Sequence, residues 1–359
     1  MNKKYRILVA PLDWGLGHAS RCIPLIRKLQ KNNFEVIIAA DRMPLKLLQE
    51  TFPELESIIL KGAEIRYSKH LPMSIGMLLK LPSFYSSIQK EISLIDDLVE
   101  NYQIDAIISD NRYGLHSSKV LSILITHQLF VQVPLGTTLV NKLIHTSISQ
   151  FDECWVPDFE GIDNSSGILS HQKMDSIEPR FIGPLSRFER SKNESKEFER
   201  ELMVILSGPE PLRSNFEKKV TEMLQVWGQE VLVVRGLVGD EEHTHEKGGI
   251  QFINHLSTER MKLEIEKSKY VLCRSGYSSI MDLLVLGKQA IIVPTPGQTE
   301  QEYLAEYLKE KKWFYSAREK ELNLVDAMVQ VKSYQPPPIS QNNVELENAI
   351  NWLTERLSQ

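Results

Sequence analysis

Residues 271–298 read VLCRSGYSSIMDLLVLGKQAIIVPTPGQ. A short apolar run stops at Ser275 and Gly276, a helical segment follows from about Tyr277, and a second apolar run ends on prolines. This order predicts a βαβ unit with two parallel strands. The Ser-Gly turn would then lie at the carboxyl edge of a parallel sheet.

Apolar runs alternate with helical segments on both sides of this unit. The runs in the first half of the chain are RILVA, EVIIA, DAIIS, SILIT and ECWVP, and the second half opens with ELMVILSG and EVLVVRG. The alternation breaks in the charged segment 188–200, which predicts a linker. The sequence therefore predicts the α/β class, with two doubly wound Rossmann-like domains at 1–187 and 201–335.

The last residues, 336–359, have a different pattern. After the extended segment QPPPIS, apolar residues recur at helical spacing from Val344 to Leu357. We expect a C-terminal helix that returns to pack on the first domain.

Composition and charge narrow the classes of function. Of 359 residues, 42% are hydrophobic and 25% are charged, which is the balance of a folded protein. The formal net charge of −5 provides no global field that would attract nucleic acid. Three cysteines lie far apart without a CxxC pair, which favours a reducing cytoplasm.

The sequence contains no run of roughly 20 apolar residues, the length that a membrane-spanning helix needs. The apolar segment 73–81, with Lys69 and Lys80 in or beside it, leaves two interpretations open. It forms a buried helix, or it makes peripheral contact with the inner membrane surface.

The turn after the strand VLCR is the first candidate site. Helix N-termini at this edge of a parallel sheet present N–H groups and a partial positive charge. We expect the amides of Ser275 and Gly276, and the serine hydroxyl, to face an anion such as phosphate. Asp282, further along the helix, would accept hydrogen bonds from sugar hydroxyls. A helix cap at Ser275 and a solvent-facing Asp282 remain the alternatives.

A matching turn follows the first strand, in PLDWGLGHASR. Gly15 and Gly17 predict a tight strand-to-helix turn, with His18 at the start of the helix. The partial positive charge of a helix N-terminus disfavours the protonated imidazole, so His18 would stay neutral, as a general base must. A simple capping role for His18 stays open.

Two further polar loops follow predicted strands. Ser207 and Gly208 come after MVIL, and Asp110, Asn111 and Arg112 come after DAII. Turn chemistry explains such residues locally, but two polar strand ends in each domain favour a ligand cleft between the domains. No metal site is predicted, because the chain lacks an HExxH or D-x-D pattern. His243 and His245 fall in a segment, 239–249, that predicts a surface loop.

The strings GLGHASR and CRSGYSSIMDLLVLGKQAIIVPTPGQTEQEYLA resemble the GT-B glycosyltransferases, in particular the family 28-like group that includes the bacterial N-acetylglucosaminyltransferase making lipid II. The resemblance implies two Rossmann-like domains facing across a cleft. It also implies a UDP-sugar donor, an acceptor that the sequence does not identify, and no cofactor or metal ion.

The same resemblance implies roles for individual residues. His18 corresponds to the base that takes a proton from the acceptor hydroxyl, and Asp110, Asn111 and Arg112 would lie on the acceptor side. The backbone of Ile253 would read the uracil, and Gln301 would contact the transferred sugar. The other nucleotide-sugar-binding residues implied are Gly15, Leu16, Gly17, Arg187, Ser207, Gly208, Arg274, Ser275, Gly276, Tyr277, Ser278, Ser279, Asp282 and Glu302.

The chain also departs from that family. Asp282 replaces a glutamate, Glu302 replaces a glutamine, and the segment THQL at 126–129 lacks an asparagine. Two other functions therefore stay open. The string GxGHxxR also resembles the UDP-sugar hydrolase of pseudaminic acid synthesis, in which water replaces the acceptor. A nucleotide-sugar-binding module without catalysis is the alternative outside the enzymes.

Overall fold

The computed structural model describes residues 4–62, 81–132, 136–174, 177–190, 197–237, 244–339 and 343–359. They form two compact units. The first contains the described residues up to Arg187 together with the C-terminal residues from Asn343, and the second begins at Phe188. The apolar segment 73–81 lies outside the described residues except for the backbone of Leu81.

The first unit is built on a seven-stranded parallel sheet with the strand order β3-β2-β1-β4-β5-β6-β7. Its strands are β1 (Arg6–Pro11), β2 (Glu35–Ala40), β3 (Glu56–Ile59), β4 (Ala106–Asp110), β5 (Leu121–Ile125), β6 (Glu153–Val156) and β7 (Arg180–Phe181). Its helices are α1 (Leu16–Lys31), α2 (Arg42–Thr51), α3 (Leu81–Asn101) and α4 (Thr137–Ile148), with a 3-10 turn at Gly167–Leu169.

The second unit repeats this plan, with the strand order β10-β11-β9-β8-β12-β13-β14. Its strands are β8 (Arg200–Ile205), β9 (Val231–Val234), β10 (Thr244–Lys247), β11 (Ile250–Ile253), β12 (Ser268–Arg274), β13 (Ala290–Val293) and β14 (Tyr315–Ser316). Its helices are α5 (Leu212–Trp227), α6 (Thr258–Lys267), α7 (Tyr277–Val285), α8 (Thr299–Glu310) and α9 (Leu324–Gln330), with 3-10 turns at Glu319–Glu321 and Val331–Ser333.

Strand order reverses once in each sheet. In the first, β1 lies between β2 and β4, and in the second, β8 lies between β9 and β12. Chain connections leave the sheet in opposite directions at such a point, which opens a crevice at the carboxyl ends of the two strands. The loops after β1 and β4, and those after β8 and β12, are the ones that the sequence marks as polar.

The predicted α/β class is confirmed, with one local correction. Segment 239–249 was expected to be a surface loop, but its residues from Thr244 to Lys247 form β10, antiparallel to β11. Gly248 and Gly249 both have positive φ, 62° and 77°, which suits a two-residue hairpin turn. An exposed edge strand needs backbone partners rather than an apolar face, so hydrophobic periodicity does not reveal it.

The C-terminal helix α10 (Val344–Ser358) packs on the first unit. Leu346, Ile350 and Leu353 are buried in the same apolar cluster as the inner face of α1. Asn343 fixes the start of the helix, because its side chain accepts a hydrogen bond from Leu346 N at 2.9 Å and donates one to Pro184 O at 3.1 Å.

Across the described ranges, no helix combines the length and the apolar character needed to cross a bilayer.

Candidate active site

His18 and Asp110 meet because their strands are neighbours. β1 and β4 pair in parallel with Pro11 opposite Asp110, so both chains reach the carboxyl edge together. Gly15 adopts φ 100°, in the region open to glycine, and α1 begins at Leu16, which places His18 in the first helical turn. Residues 92 positions apart in sequence thus share one edge of the sheet.

The imidazole of His18 lies between a carboxylate and a guanidinium. His18 Nδ1 lies 3.2 Å from Asp110 Oδ1, and an ionised carboxylate can only accept a hydrogen bond. The same Nδ1 lies 2.9 Å from Arg21 Nη2, which can only donate. With its proton on Nδ1, toward Asp110, neutral His18 would have Nε2 as its basic nitrogen. Burial lowers the pKa of His18, and the nearby Arg21 guanidinium lowers it further, so the ring stays neutral.

Asp110 is fully buried but remains ionised. Burial raises its pKa, and the Arg21 guanidinium and His18 more than reverse that effect, so the pKa lies below its usual range. Arg21 Nε donates to Asp110 Oδ2 at 2.6 Å, and Arg21 Nη2 donates to Oδ1. The Cys22 thiol also contacts Oδ2, at 3.7 Å. Burial and Asp110 raise the pKa of Cys22, so it remains a protonated donor.

Arg21 also reaches a second histidine. Its Nη1 lies 3.1 Å from His127 Nδ1, in the loop after β5. Because arginine has no acceptor, His127 Nδ1 must accept this hydrogen bond. The motifs of the sequence did not predict Arg21, Cys22 or His127 as site residues. The available signal was that Arg21 follows His18 by three residues, which is one helical turn.

Arg112 corrects a prediction. We expected it on the acceptor side, but its guanidinium is buried and donates to Glu91 Oε1 at 2.9 Å and to Leu60 O at 3.1 Å. It therefore ties α3 and the loop after β3 to the end of β4. Asn111 stays at the sheet edge with φ 61°, and its N–H donates to Ile125 O at 3.0 Å.

In the second unit, β12 leads directly into the N-terminus of α7. Gly276 is the N-cap residue, with φ −70° and ψ 140°, and no side chain caps the helix there. The partial positive charge of a helix N-terminus and its first-turn amides suit an anion. Ser278, Ser279 and Asp282 are partly buried on α7, whereas the Tyr277 side chain is buried.

Ser275 and Arg274 correct two further predictions. The buried Ser275 hydroxyl donates to Gln301 O at 2.9 Å, so its proton does not face an anion. Arg274 is also buried and donates to Glu319 Oε2 at 2.6 Å and to Pro294 O at 3.1 Å. Burial lowers the pKa of Arg274, and Glu319 opposes this. Both side chains hold the turn in place from inside.

Gln301 and Glu302 close the loop that follows β13. Gln301 Oε1 accepts from Thr295 N at 2.9 Å, and Glu302 Oε1 accepts from Gly297 N at 3.0 Å. Gln301 Nε2 is beside Gly276, since a methyl group there would be 3.8 Å from it. The predicted sugar-contacting glutamine is thus next to the predicted phosphate turn.

The other predicted residues lie at strand ends or at the end of the first unit. Ser207 and Gly208 are exposed after β8, and Gly208 has φ 107°. Ile253 ends β11, and its carbonyl accepts from Arg235 N at 2.8 Å. Arg187, partly buried, is the last residue of the first unit before the C-terminal segment returns. Leu16 and Gly17 open α1 and are partly buried.

No group of three or more His, Cys, Asp and Glu side chains placed to hold a metal ion occurs in the part of the chain that the structure describes.

Comparison with known proteins indicates the class of enzyme to which the chain is similar. Residues 214–349 match the family described as the glycosyltransferase family 28 C-terminal domain. The chain is 24% identical over 304 residues to a UDP-N-acetylglucosamine--N-acetylmuramyl-(pentapeptide) pyrophosphoryl-undecaprenol N-acetylglucosamine transferase of Glaesserella parasuis serovar 5 (strain SH0165). That match covers 81% of this chain and 79% of the relative.

Two solved structures show the same architecture at low sequence identity. The glycotransferase of kitacinnamycin superimposes with a TM-score of 0.67 at 14% identity, over 99% of both chains. Arabidopsis thaliana UGT89C1 complexed with quercetin gives a TM-score of 0.63 at 15% identity, over 99% of this chain and 94% of that one.

The chain is thus a glycosyltransferase with the GT-B fold. Within that class, residues 214–349 are similar to the C-terminal domain of glycosyltransferase family 28.

Proposed function

We propose that the chain is an inverting, metal-independent glycosyltransferase that moves a sugar from a UDP-sugar to an acceptor hydroxyl. His18 is the general base in this proposal, and Asp110 orients it. The donor is the only small molecule required, and no cofactor takes part.

The observation that supports this proposal best is the contact between His18 Nδ1 and Asp110 Oδ1. A neutral imidazole whose Nδ1–H is held by a carboxylate has its Nε2 lone pair available for an acceptor proton. As the hydroxyl loses its proton it attacks the anomeric carbon, and the diphosphate leaves from the opposite face. Asp110 then stabilises the imidazolium that forms, as a buried carboxylate does in hydrolase triads.

In this proposal the N-terminus of α7 in the second unit stabilises the leaving diphosphate. Gly276 lets an anion approach the N-terminus of α7 closely, because it carries no side chain. Helix-terminal amides and the helix dipole stabilise the negative charge that grows on the leaving group. We assign Arg187 the same role. In this mechanism these groups replace the cation that other transferases use.

The names of the relatives support a proposal for the identity of the donor. Those of Glaesserella parasuis and Actinobacillus pleuropneumoniae are named for UDP-N-acetylglucosamine and for a pyrophosphoryl-undecaprenol acceptor. By analogy we propose a UDP-linked, GlcNAc-type donor and a lipid-linked acceptor. Such an acceptor would bring the chain to the cytoplasmic face of a membrane as a peripheral protein. The three buried free cysteines fit a reducing compartment.

Hydrolysis is the second candidate, and Arg21 favours it. Arg21 completes the GxGHxxR string of the UDP-sugar hydrolase type, and it directly contacts His18 and Asp110. In that reaction His18 would activate water instead of an acceptor hydroxyl. The residues of the first unit are otherwise used in the same way.

A two-part experiment tests the proposal. A thermal-shift screen of UDP-, dTDP- and GDP-sugars should show stabilisation by UDP-sugars, since ligand at a hundredfold excess over Kd stabilises by about 2.7 kcal/mol. UDP release is then followed with and without a detergent-solubilised polyprenyl-pyrophosphoryl glycan. Release that depends on this acceptor supports transfer. Free sugar formed in equal amount with UDP, without acceptor, establishes hydrolysis, and a chain that binds no UDP-sugar contradicts the proposal.

A further inference from the structure

We propose that Asn111 is an acceptor-binding residue of the crevice beside His18. Its side-chain amide hydrogen-bonds an uncharged, oxygen-bearing part of the acceptor, such as a sugar ring, next to the hydroxyl that His18 activates. This inference rests on the proposed function of His18 and Asp110. The resemblance to the family implied only a position on the acceptor side for Asn111, and three features of the structure support the more specific role.

Asn111 is the accessible residue of a buried loop. It directly follows Asp110, which ends β4 and contacts His18. Residues 109–115 are all buried except Asn111, which is partly exposed. β4 is one of the two strands whose carboxyl ends open the crevice of the first unit. The side chain of Asn111 is therefore within reach of a ligand in that crevice.

The amide of Asn111 makes no hydrogen bond to any residue that the structure describes, and its Oδ1 is buried without a donor. The neighbouring polar side chains differ in this respect. The Ser109 hydroxyl donates to a backbone carbonyl at 2.6 Å, and both Asp110 and Arg112 form buried ion pairs. A buried amide oxygen that lacks a donor costs free energy, so this group does not serve the stability of the unit.

The backbone of Asn111 does not require an asparagine. Its φ of 61° is in the left-handed region, which glycine adopts most readily. Asparagine is tolerated there because its short side chain can hydrogen-bond locally, but this amide makes no such bond. The N–H of Asn111 donates to Ile125 O at 3.0 Å, and any residue other than proline could do the same. The side chain therefore gives the turn nothing that glycine would lack.

The chemistry of the amide indicates what it binds. Because Oδ1 is the buried end, we assign the contact to the NH₂ group, which carries two donors. A neutral donor suits the hydroxyl and ring oxygens of a sugar, whereas a diphosphate favours a cation or a helix N-terminus. With one oxygen held by Asn111 and the attacking hydroxyl beside His18, the acceptor is bound at two points and is oriented for reaction.

Asn111→Gly removes the amide and keeps the left-handed backbone. With a detergent-solubilised polyprenyl-pyrophosphoryl glycan as the acceptor, we expect the KM for this glycan to rise about tenfold, the effect of one lost hydrogen bond. The KM for the UDP-sugar should stay at the wild-type value, and the melting temperature should not fall. Asn111→Asp keeps the length of the side chain but has no N–H donor, so it should raise the KM for the glycan by at least as much.

Asn33→Gly is the matched control. Asn33 also has a positive φ, 65°, and it is exposed beyond the C-terminus of α1, at the opposite end of the helix from His18. This variant should leave both KM values unchanged. A wild-type KM for the glycan in folded Asn111→Gly overturns the proposal. An equal rise in Asn33→Gly overturns it as well, because a loosened backbone and not the amide would then be the cause.

The role of Asn111 and the proposed function can fail separately. If Asn111→Gly transfers sugar with a wild-type KM for the glycan, the proposed function stands and the role of Asn111 does not. If the wild-type chain hydrolyses the UDP-sugar without transferring sugar, the proposed function fails, and isothermal titration with the same glycan then tests Asn111. Weaker binding by Asn111→Gly than by the wild type supports its role, whereas equal binding, or none by either chain, overturns it.

Discussion

At the scale of single residues, the chemistry depends on which nitrogen of His18 carries its proton. In the proposed mechanism the proton is on Nδ1, where the carboxylate of Asp110, which Arg21 keeps ionised, accepts it. An amide at this position could present its NH₂ group to Nδ1 and so favour the other tautomer, with the proton on Nε2. Nε2 would then no longer be a base.

This leads to a prediction for Asp110→Asn. We expect kcat to fall by about 10²–10⁴-fold, the usual contribution of positioned base catalysis, with little change in UDP-sugar affinity. The affinity should be unaffected because Asp110 is not among the residues that we assign to the donor. Steady-state UDP release and isothermal titration with UDP would measure the two quantities. A variant with wild-type kcat would show that Asp110 does not orient the base.

The same substitution has a consequence for stability. It leaves Arg21 buried without its carboxylate, so the free energy of unfolding at pH 7 should fall by about 3–5 kcal/mol. The pKa of Asp110 is lower in the folded chain, so its contribution is complete above the ordinary value of about 4 and declines as pH falls below it. The gap between wild type and Asp110→Asn should therefore shrink between pH 5 and pH 3, as measured by urea denaturation.

Asp96→Asn is the matched control, because Asp96 is half-exposed and pairs with Lys119 on the surface. It should change the free energy of unfolding by no more than about 0.5 kcal/mol. An equal loss of unfolding free energy in both variants would show that the burial of Asp110 does not cause the destabilisation.

Residue identity alone predicts a site only in part. The turn chemistry of GLGH marked His18 correctly as a strand-end residue, and the topology then supplied Asp110. Arg112 and Arg274 looked equally suited to ligands, yet each binds a glutamate and a backbone carbonyl of its own unit. Whether an arginine faces in or out depends on partners distant in sequence, such as Glu91 and Glu319, which no local pattern reveals.

At the scale of elements, the β12–α7 turn is held from inside so that its backbone can face a ligand. Ser275 is tied to α8 through the carbonyl of Gln301, and Arg274 is tied to the loop after β13. Gly276 remains partly exposed at the helix N-terminus. The side chains thus fix the backbone of the turn, whose amides we propose as the anion site.

Gly276→Ala tests whether the backbone of this turn binds the anion. Its φ of −70° suits any residue, and the added methyl would lie 3.8 Å from Gln301 Nε2, so stability should change by less than about 0.5 kcal/mol. The methyl would nevertheless stand where the diphosphate approaches, and UDP affinity should fall at least about tenfold, or about 1.4 kcal/mol. Titration calorimetry gives the affinity and thermal unfolding gives the stability.

For Ser275→Ala we expect the reverse, a larger effect on stability than on UDP affinity. It removes the hydrogen bond to Gln301 O and should cost about 1 kcal/mol of stability, with a smaller effect on UDP binding. If Gly276→Ala bound UDP as tightly as the wild type, the anion would not lie at this turn.

Buried strands were easier to predict from the sequence than the strands at the edges of the sheets. The buried parallel strands such as RILVA and VLCR are continuous apolar runs, so periodicity identifies them. The edge strand β10 is polar on both faces, and only the Gly248-Gly249 pair signalled its hairpin. Short edge strands such as β7, with two residues, have no pattern of their own.

At the scale of the whole molecule, the chain leaves the first unit after Arg187 and comes back to it with α10. The helix contributes Leu346, Ile350 and Leu353 to the apolar cluster beneath α1. The unit that holds His18 therefore includes residues from both ends of the sequence. The apolar spacing of the segment predicted the helix.

Ile350→Ala should destabilise the first unit by about 2–5 kcal/mol, because a fully buried side chain is lost and a cavity remains. Val344→Ala on the same helix is the control, since Val344 is 54% exposed, and it should cost less than about 0.5 kcal/mol. Scanning calorimetry of the full chain would show the difference. Equal melting curves for the two variants would mean that α10 does not support the first unit.

The most direct test of the mechanism is the turnover of His18→Gln with a UDP-sugar and acceptor. Glutamine keeps a polar side chain of similar reach but cannot take up a proton at neutral pH. We predict that kcat falls by at least about a hundredfold while UDP-sugar affinity and melting temperature stay close to the wild type. A His18→Gln chain that turns over at nearly the wild-type rate would contradict the assignment of the imidazole as the base.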